Sequence, residues 1–172
     1  MHFQGECFRA HDPAWSWSPL SGAGAALKGR RFNWPGLETL YLSLAVNTVF
    51  REVSAGFAHR LTPYILCSYD VDCQDIADLT TDTARAAHNV KLPDLACAWA
   101  DALSAGREPA SWPIVRRLRT GGHAGLLVPS FAHGATQDDR NLVLWRWGPN
   151  LPRRVTVYDP TGKLPRNQLS WK

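Results

Sequence analysis

Residues 37–57 read LETLYLSLAVNTVFREVSAGF, and the spacing of their apolar residues changes midway. From Leu37 to Leu44 the chain alternates. Leu40, Leu42 and Leu44 fall on one side and Thr39, Tyr41 and Ser43 on the other, the period-two pattern of a half-buried strand. From Val46 onward, Val46, Val49, Phe50, Val53 and Phe57 fall at the three-and-four spacing of a helix stripe. Glu52 lies well off the centre of that stripe, and Gly56 is a plausible stop for the helix. A strand feeding directly into a helix, with Tyr41 on the face away from the leucines, is the unit around which the rest is read.

Downstream, Tyr64–Val71 (YILCSYDV) is rich in aromatic and branched residues and reads as a strand. Residues 81–89, 94–105 and 111–120 read as helices, stopped in the last two cases by Gly106 and by Gly121-Gly122. The run AGLLVPS at 124–130 reads as a fully buried strand ending near Pro129. Residues 141–147 and 154–158 complete the strands, and Asp159-Pro160-Thr161-Gly162 is a turn. Residues 10–36 are rich in Pro, Gly, Ser and Trp and read as irregular structure. Strands and helices mix without regular alternation, so the expected fold is α+β, one domain over residues 1–172 with a mixed sheet and flanking helices.

Composition narrows the function classes. The 172 residues are 45% hydrophobic and 20% charged, with a formal net charge of +4, so the chain has the content of a packed domain. Its basic residues come in short groups: Arg30-Arg31, Arg116-Arg117 with Arg119, and Arg153-Arg154. None is long enough for a nucleic-acid arm, and an anionic small molecule or an acidic partner suits them equally well. Eight tryptophans supply large apolar area for cores or for a partner-facing surface. The four cysteines (Cys7, Cys67, Cys73, Cys97) show neither a C-x-x-C pair nor histidines at zinc spacing, so no metal site is expected and the thiols read as reduced. The N-terminal MHFQGECFRAHD lacks the apolar stretch of a secretory leader, and no apolar run is long enough to span a bilayer. These features point to a soluble protein of the cytoplasm.

The loop GRRFNWPG (29–36) is the first candidate for chemistry. Glycines at both ends let the backbone bend closely and present Arg31, whose planar guanidinium suits bidentate capture of phosphate or carboxylate. Taken singly, Arg31 also reads as a surface arginine, Tyr41 as a packing aromatic and Glu52 as a solvated helix carboxylate.

Together they carry more. Arg9, the stretch Gly29-Arg30-Arg31-Phe32-Asn33 with Gly36, Tyr41, Glu52 at the end of Thr-Val-Phe-Arg-Glu, and Val128-Pro129-Ser130 followed by Asn141 resemble the RES domain, over roughly residues 5–160. The Arg, Glu and Ser that name the family match Arg31, Glu52 and Ser130. Two departures stand out: Arg30 where the family often has Gly, and Val49-Phe50 where smaller residues often precede the Glu. Residues 72–112 carry the fewest shared motifs and read as scaffold or as an acceptor-recognition surface.

The resemblance implies a toxin of a bacterial toxin–antitoxin pair with an ADP-ribosyltransferase-like fold. It also implies NAD as the consumed substrate, and an Arg-Tyr-Glu set similar to the triad of the diphtheria-toxin-like transferases. Breaking the bond between the cationic nicotinamide and ribose develops positive charge on the sugar. In that reaction Arg31 would hold the pyrophosphate or a ribose edge, Tyr41 would stack on nicotinamide, and Glu52 would bind the ribose hydroxyls and stabilise the developing cation. Ser130, Arg9 and Asn141 are further candidates for nicotinamide, ribose or phosphate contact. The ADP-ribose goes to a protein acceptor, or else to phosphate or water. A cognate antitoxin, commonly with a Xre-like helix-turn-helix domain, would block the cleft, and neither a membrane nor direct nucleic-acid contact is expected. Two readings from other classes compete: a non-catalytic NAD or ADP-ribose binding module, and an ester hydrolase built on Ser130 and His133.

Overall fold

In a computed structural model that describes residues 1–54 and 62–171, seven strands form one mixed sheet. The strands are β1 (Phe3–His11), β2 (Leu40–Ser43), β3 (Ile65–Cys73), β4 (Ile76–Asp78), β5 (Gly125–Pro129), β6 (Arg140–Leu144) and β7 (Arg153–Val157). Their order across the sheet is β4-β5-β6-β2-β1-β3-β7. Among these described strands only β4 and β5 pair in parallel, because the chain between them crosses over through helices. This is the α+β architecture that the mixed pattern implies.

The alternation in β2 does what its spacing dictates. Leu40 and Leu42 are fully buried in one core, with Cys7, Tyr69, Leu127, Leu142 and Val155. Tyr41 points the other way and packs against a second core, with Phe32, Ala77, Leu126, Val128, Val143 and Trp145. Burying each such aliphatic side chain contributes about 1.5–3 kcal/mol. β5 feeds both cores, Leu127 to one and Leu126 with Val128 to the other, which is why its sequence is a continuous apolar run.

The second core is roofed by the crossover helices α3 (Asp82–Ala87), α4 (Leu92–Leu95), α5 (Trp99–Ser104) and α6 (Ser111–Thr120), numbered after the short α1 (Ala23–Ala26) and α2 (Val46–Ser54). Leu95, Ile114, Val115 and Leu118 face inward from them.

Several details differ from the sequence reading. β1, the strand at the chain start, pairs with β2 and β3 but was not anticipated: Gly5, Arg9 and His11 dilute its alternation. β4, only three residues long, is too short to show a period. The single helix expected over 94–105 is two helices, starting with Pro93 in its first turn and interrupted at Ala96–Ala98. In α2, Thr48 and Val49 are buried while Phe50 is 50% exposed, so the inward face is rotated from the expected stripe. Gly56 and Phe57, read as the end of that helix, lie outside the described residues.

Tryptophan goes mainly into packing. Trp112 and Trp145 are buried, and Trp34 and Trp147 lean on the two cores, whereas Trp15 is exposed. Cys7, Cys67 and Cys73 are buried free thiols and Cys97 is half-buried. Burial pushes the Cys7 thiol up to about 12 and Cys73 to about 11, which keeps both protonated and unreactive. Among the described residues, no helix is long and apolar enough to cross a membrane.

Candidate active site

The 29–36 loop is built first. Arg30 and Asn33 form an isolated antiparallel bridge that leaves Arg31 and Phe32 at its tip. Gly29 has φ +74°, and a Cβ there would press on the Asn33 carbonyl and Pro35 at 3.0 Å, so only glycine fits. Helix α6 fixes the loop from outside. Trp112 Nε1 donates to the Arg30 carbonyl at 2.9 Å, and Ser111 Oγ donates to that of Arg31.

Asn33 is fully buried and ties the loop internally. Its Nδ2 donates to the carbonyls of Ala25, Trp34 and Leu37, and its Oδ1 accepts from the Tyr41 hydroxyl at 2.9 Å. That hydroxyl in turn accepts from Phe32 N at 3.1 Å. Burial pushes the Tyr41 phenol well above its ordinary range, so it stays protonated. The tyrosine therefore spends its polar end inside the protein and keeps only its ring for a ligand.

The half-buried Arg31 uses one terminal nitrogen for anchoring, donating to the carbonyls of Leu95 at 3.1 Å and Cys97 at 2.6 Å. Both carbonyls lie at the break between α4 and α5, where that of Cys97 also accepts from Trp99 N at 2.8 Å. The stretch 72–112, poorest in shared motifs, thus holds the arginine in place. Its guanidinium carbon sits 4.9 Å from the centre of the Phe131 ring. Its second terminal nitrogen and Nε make no hydrogen bond among the described residues, and they are available to an anion. Burial lowers its pKa, while Cys97, Glu52 and Tyr41 oppose that shift, and guanidinium stays charged at neutral pH.

Glu52 reaches the same region from α2. Its Oε1 accepts from Ser130 Oγ at 2.6 Å and from Asn141 Nδ2 at 2.5 Å. Asn141 Oδ1 accepts from Ser43 Oγ at 2.8 Å, and Ser43 lies two residues beyond Tyr41 on the same face of β2. Hydrogen bonds, the Arg31–Phe131 contact, chain adjacency at 31–32 and 130–131, and the shared β2 face of Ser43 and Tyr41 together trace a ring: Arg31, Phe131, Ser130, Glu52, Asn141, Ser43, Tyr41 and Phe32. Residues far apart in sequence are thereby brought together on the side of the sheet that carries the second core, with Glu52 exposed to solvent.

Ser130 and Asn141, expected as ligand contacts, both donate to the Glu52 carboxylate. The Ser130 proton goes to Glu52, and among the described residues no hydrogen bond joins Ser130 to His133. Arg9 lies on the other side of the sheet, on the strand face of Cys7 and His11, and donates to the Pro19 and Ser21 carbonyls. It ties a loop. No group of three or more metal-ligating side chains occurs among the described residues. An open groove lined by Glu6, Asp70, Asp72 and Arg154 shares no residue with the ring.

The sequence reading missed Asn33 as a polar hub and Asp139, a buried carboxylate bonded to the helix that carries Glu52. The Gly-rich spacing around Asn33 was the available signal for the first. Nothing local marked the second.

Residues 6–167 match the family model described as RES domain. No curated protein matches the chain. Among solved structures, the chain resembles one from the M. tuberculosis MbcT–MbcA toxin–antitoxin complex, with a TM-score of 0.67 and 24% identity. The likeness covers 92% of this chain and 84% of that one. At this identity it speaks to the fold.

Proposed function

The chain belongs to the RES domain family, and from that premise we propose that it is the toxin of a toxin–antitoxin pair, an enzyme that splits NAD at the nicotinamide–ribose bond and passes ADP-ribose to a protein acceptor. The observation that carries this reading is the Glu52 carboxylate, held by Ser130 and Asn141 in the same ring as Arg31 and the Tyr41 face. Cleavage of NAD needs a cationic ring stabilised, a pyrophosphate gripped and a positive sugar met by a fixed negative charge.

In this reading the unused nitrogens of Arg31 take the pyrophosphate or a ribose edge and fix the substrate. The Tyr41 ring stacks on nicotinamide, where a cation over a π-face gains about 0.5–2 kcal/mol. Glu52 keeps one oxygen on its two donors and turns the other toward the ribose. As the glycosidic electron pair leaves with nicotinamide, that carboxylate meets the developing oxocarbenium charge, a preorganised contribution of roughly 3–4 kcal/mol. Ser130 and Asn141 act on the carboxylate rather than on the substrate. A cognate antitoxin, of the Xre-like type expected from the family, would restrain the enzyme by covering the exposed Glu52 and the groups around it. That the structurally similar protein was solved in a toxin–antitoxin complex supports an antitoxin partner.

Purified protein incubated with NAD, phosphate and a lysate is expected to release nicotinamide and to label a protein by the mass of ADP-ribose. Glu52→Gln should lower nicotinamide release by roughly 100- to 1000-fold while leaving the folded domain intact. Ribose-1-phosphate ends on the product, or free ADP-ribose alone, would replace the protein acceptor with phosphate or water. Intact NAD with a measurable Kd would leave only a binding module. Loss of activity in Ser130→Ala but not in Glu52→Gln would overturn the carboxylate mechanism in favour of a serine nucleophile.

A further inference from the structure

Asp139 is 4% exposed, yet its carboxylate gathers donors from two separate segments. From α2, Thr48 Oγ1 donates to Oδ1 at 2.6 Å, and Arg51 donates to both oxygens at 2.8 and 3.1 Å. From the loop after β5, Thr136 donates to Oδ2 through its backbone N at 2.7 Å and its hydroxyl at 2.9 Å. The Asp139 carbonyl also accepts from Ser130 N at 2.7 Å.

These contacts fall on the two pieces that meet at Glu52. Thr48 and Glu52 are four residues apart on α2, one above the other on the same helix face. Ser130 and Asn141, the donors to Glu52, flank the segment that Asp139 closes. The same contacts account for the rotated helix, since drawing Thr48 and Arg51 inward turns Phe50 out to solvent. The donors from Thr48, Thr136 and Arg51 hold the Asp139 carboxyl down to about 2, so it is ionised throughout the neutral range. A plain surface ion pair would need neither burial nor three partners of different kinds.

We propose that Asp139 is the positioning residue of the site: it clamps α2 to the 130–141 segment and so holds the Glu52 carboxylate and both of its donors as one unit. The inference rests on the NAD-cleaving role given to Glu52. Asp139 itself touches no substrate; its effect runs through Glu52.

The test compares wild type with Asp139→Asn, Thr48→Val, Thr48→Ser, Glu52→Gln and the Asp139→Asn/Glu52→Gln double variant. Nicotinamide release is read as kcat and KM, and the Glu52 side-chain carboxyl by 13C NMR. Asp139→Asn is expected to lower kcat about 10- to 100-fold with KM within about threefold, the cost of a misplaced catalytic group. Thr48→Val should move kcat the same way and Thr48→Ser should restore it. In the Glu52→Gln background, Asp139→Asn should cost nothing more. The Glu52 carboxyl signal should shift or broaden in Asp139→Asn and Thr48→Val but not in Thr48→Ser. A full additional loss in the Glu52→Gln background, or a Glu52 signal unchanged in the folded variants, overturns the proposal. Should Asp139→Asn fail to fold, the Thr48 pair decides alone. If wild type releases no nicotinamide, the NAD reading fails, and the 13C comparison still judges the clamp.

Discussion

Tyr41→Phe separates the two ends of one side chain. The hydroxyl makes two hydrogen bonds, accepting from Phe32 N at 3.1 Å and donating to Asn33 Oδ1 at 2.9 Å. Removing it leaves the Phe32 N–H and the Asn33 amide oxygen, both on buried residues, short of partners. Each stranded group costs about 1–3 kcal/mol, and the low end of that range for both gives roughly 2 kcal/mol in all. With a urea m-value of about 2 kcal/mol/M, the unfolding midpoint should fall by ~1 M with m unchanged. The ring remains, so nicotinamide release should stay within about threefold of wild type, whereas Tyr41→Ala should lose the ring's share, about 2- to 30-fold. Urea unfolding followed by tryptophan fluorescence, together with a nicotinamide assay on the same samples, checks both halves. A Tyr41→Phe protein of unaltered midpoint but abolished activity would refute the reasoning, because the hydroxyl would then be acting on substrate rather than tying the Arg31 loop.

Two further outcomes follow from buried groups. His11 is 4% exposed and faces Arg9 and the Tyr69 hydroxyl, and burial with the neighbouring guanidinium lowers its pKa from 6.5 to about 3. The unfolded chain therefore binds the proton first, so stability should fall by roughly 1 kcal/mol per pH unit from about 6.5 downward. Urea titrations at pH 7 and pH 5 should show this slope in wild type and lose it in His11→Gln; equal slopes in both would exclude His11 as its origin. Asp139 adds a separate acid limb, since its depressed pKa of about 2 withdraws stability only as pH falls below the ordinary carboxylate range. Gly125→Ala would place a Cβ 2.3 Å from the Val143 carbonyl and 2.8 Å from Leu144 Cδ2, so β5 must shift against β6. A loss of at least ~1–3 kcal/mol is expected, and a variant with wild-type Tm would contradict the close approach.

What the sequence determined by itself was local. The alternation of Leu40, Leu42 and Leu44 put Tyr41 on the face opposite the leucine core, and the unbroken apolar run 124–130 announced a strand buried on both sides. The Gly-rich loop presented Arg31, and the combination of motifs brought Arg31, Tyr41 and Glu52 to notice together. Tertiary structure decided the rest, because the deciding interactions join residues without any period between them. Breaking the expected 94–105 helix presents the Leu95 and Cys97 carbonyls to an arginine more than sixty residues earlier. A buried carboxylate at Asp139 rotates α2 so that Thr48 rather than Phe50 faces inward, and a hydrophobicity pattern cannot register an acceptor supplied from another segment. Ser130 and Asn141 likewise acquire their partner only when β5 and β6 come together beside α2. Periodicity encodes which face of an element is apolar; which polar groups meet across elements is set by packing in three dimensions.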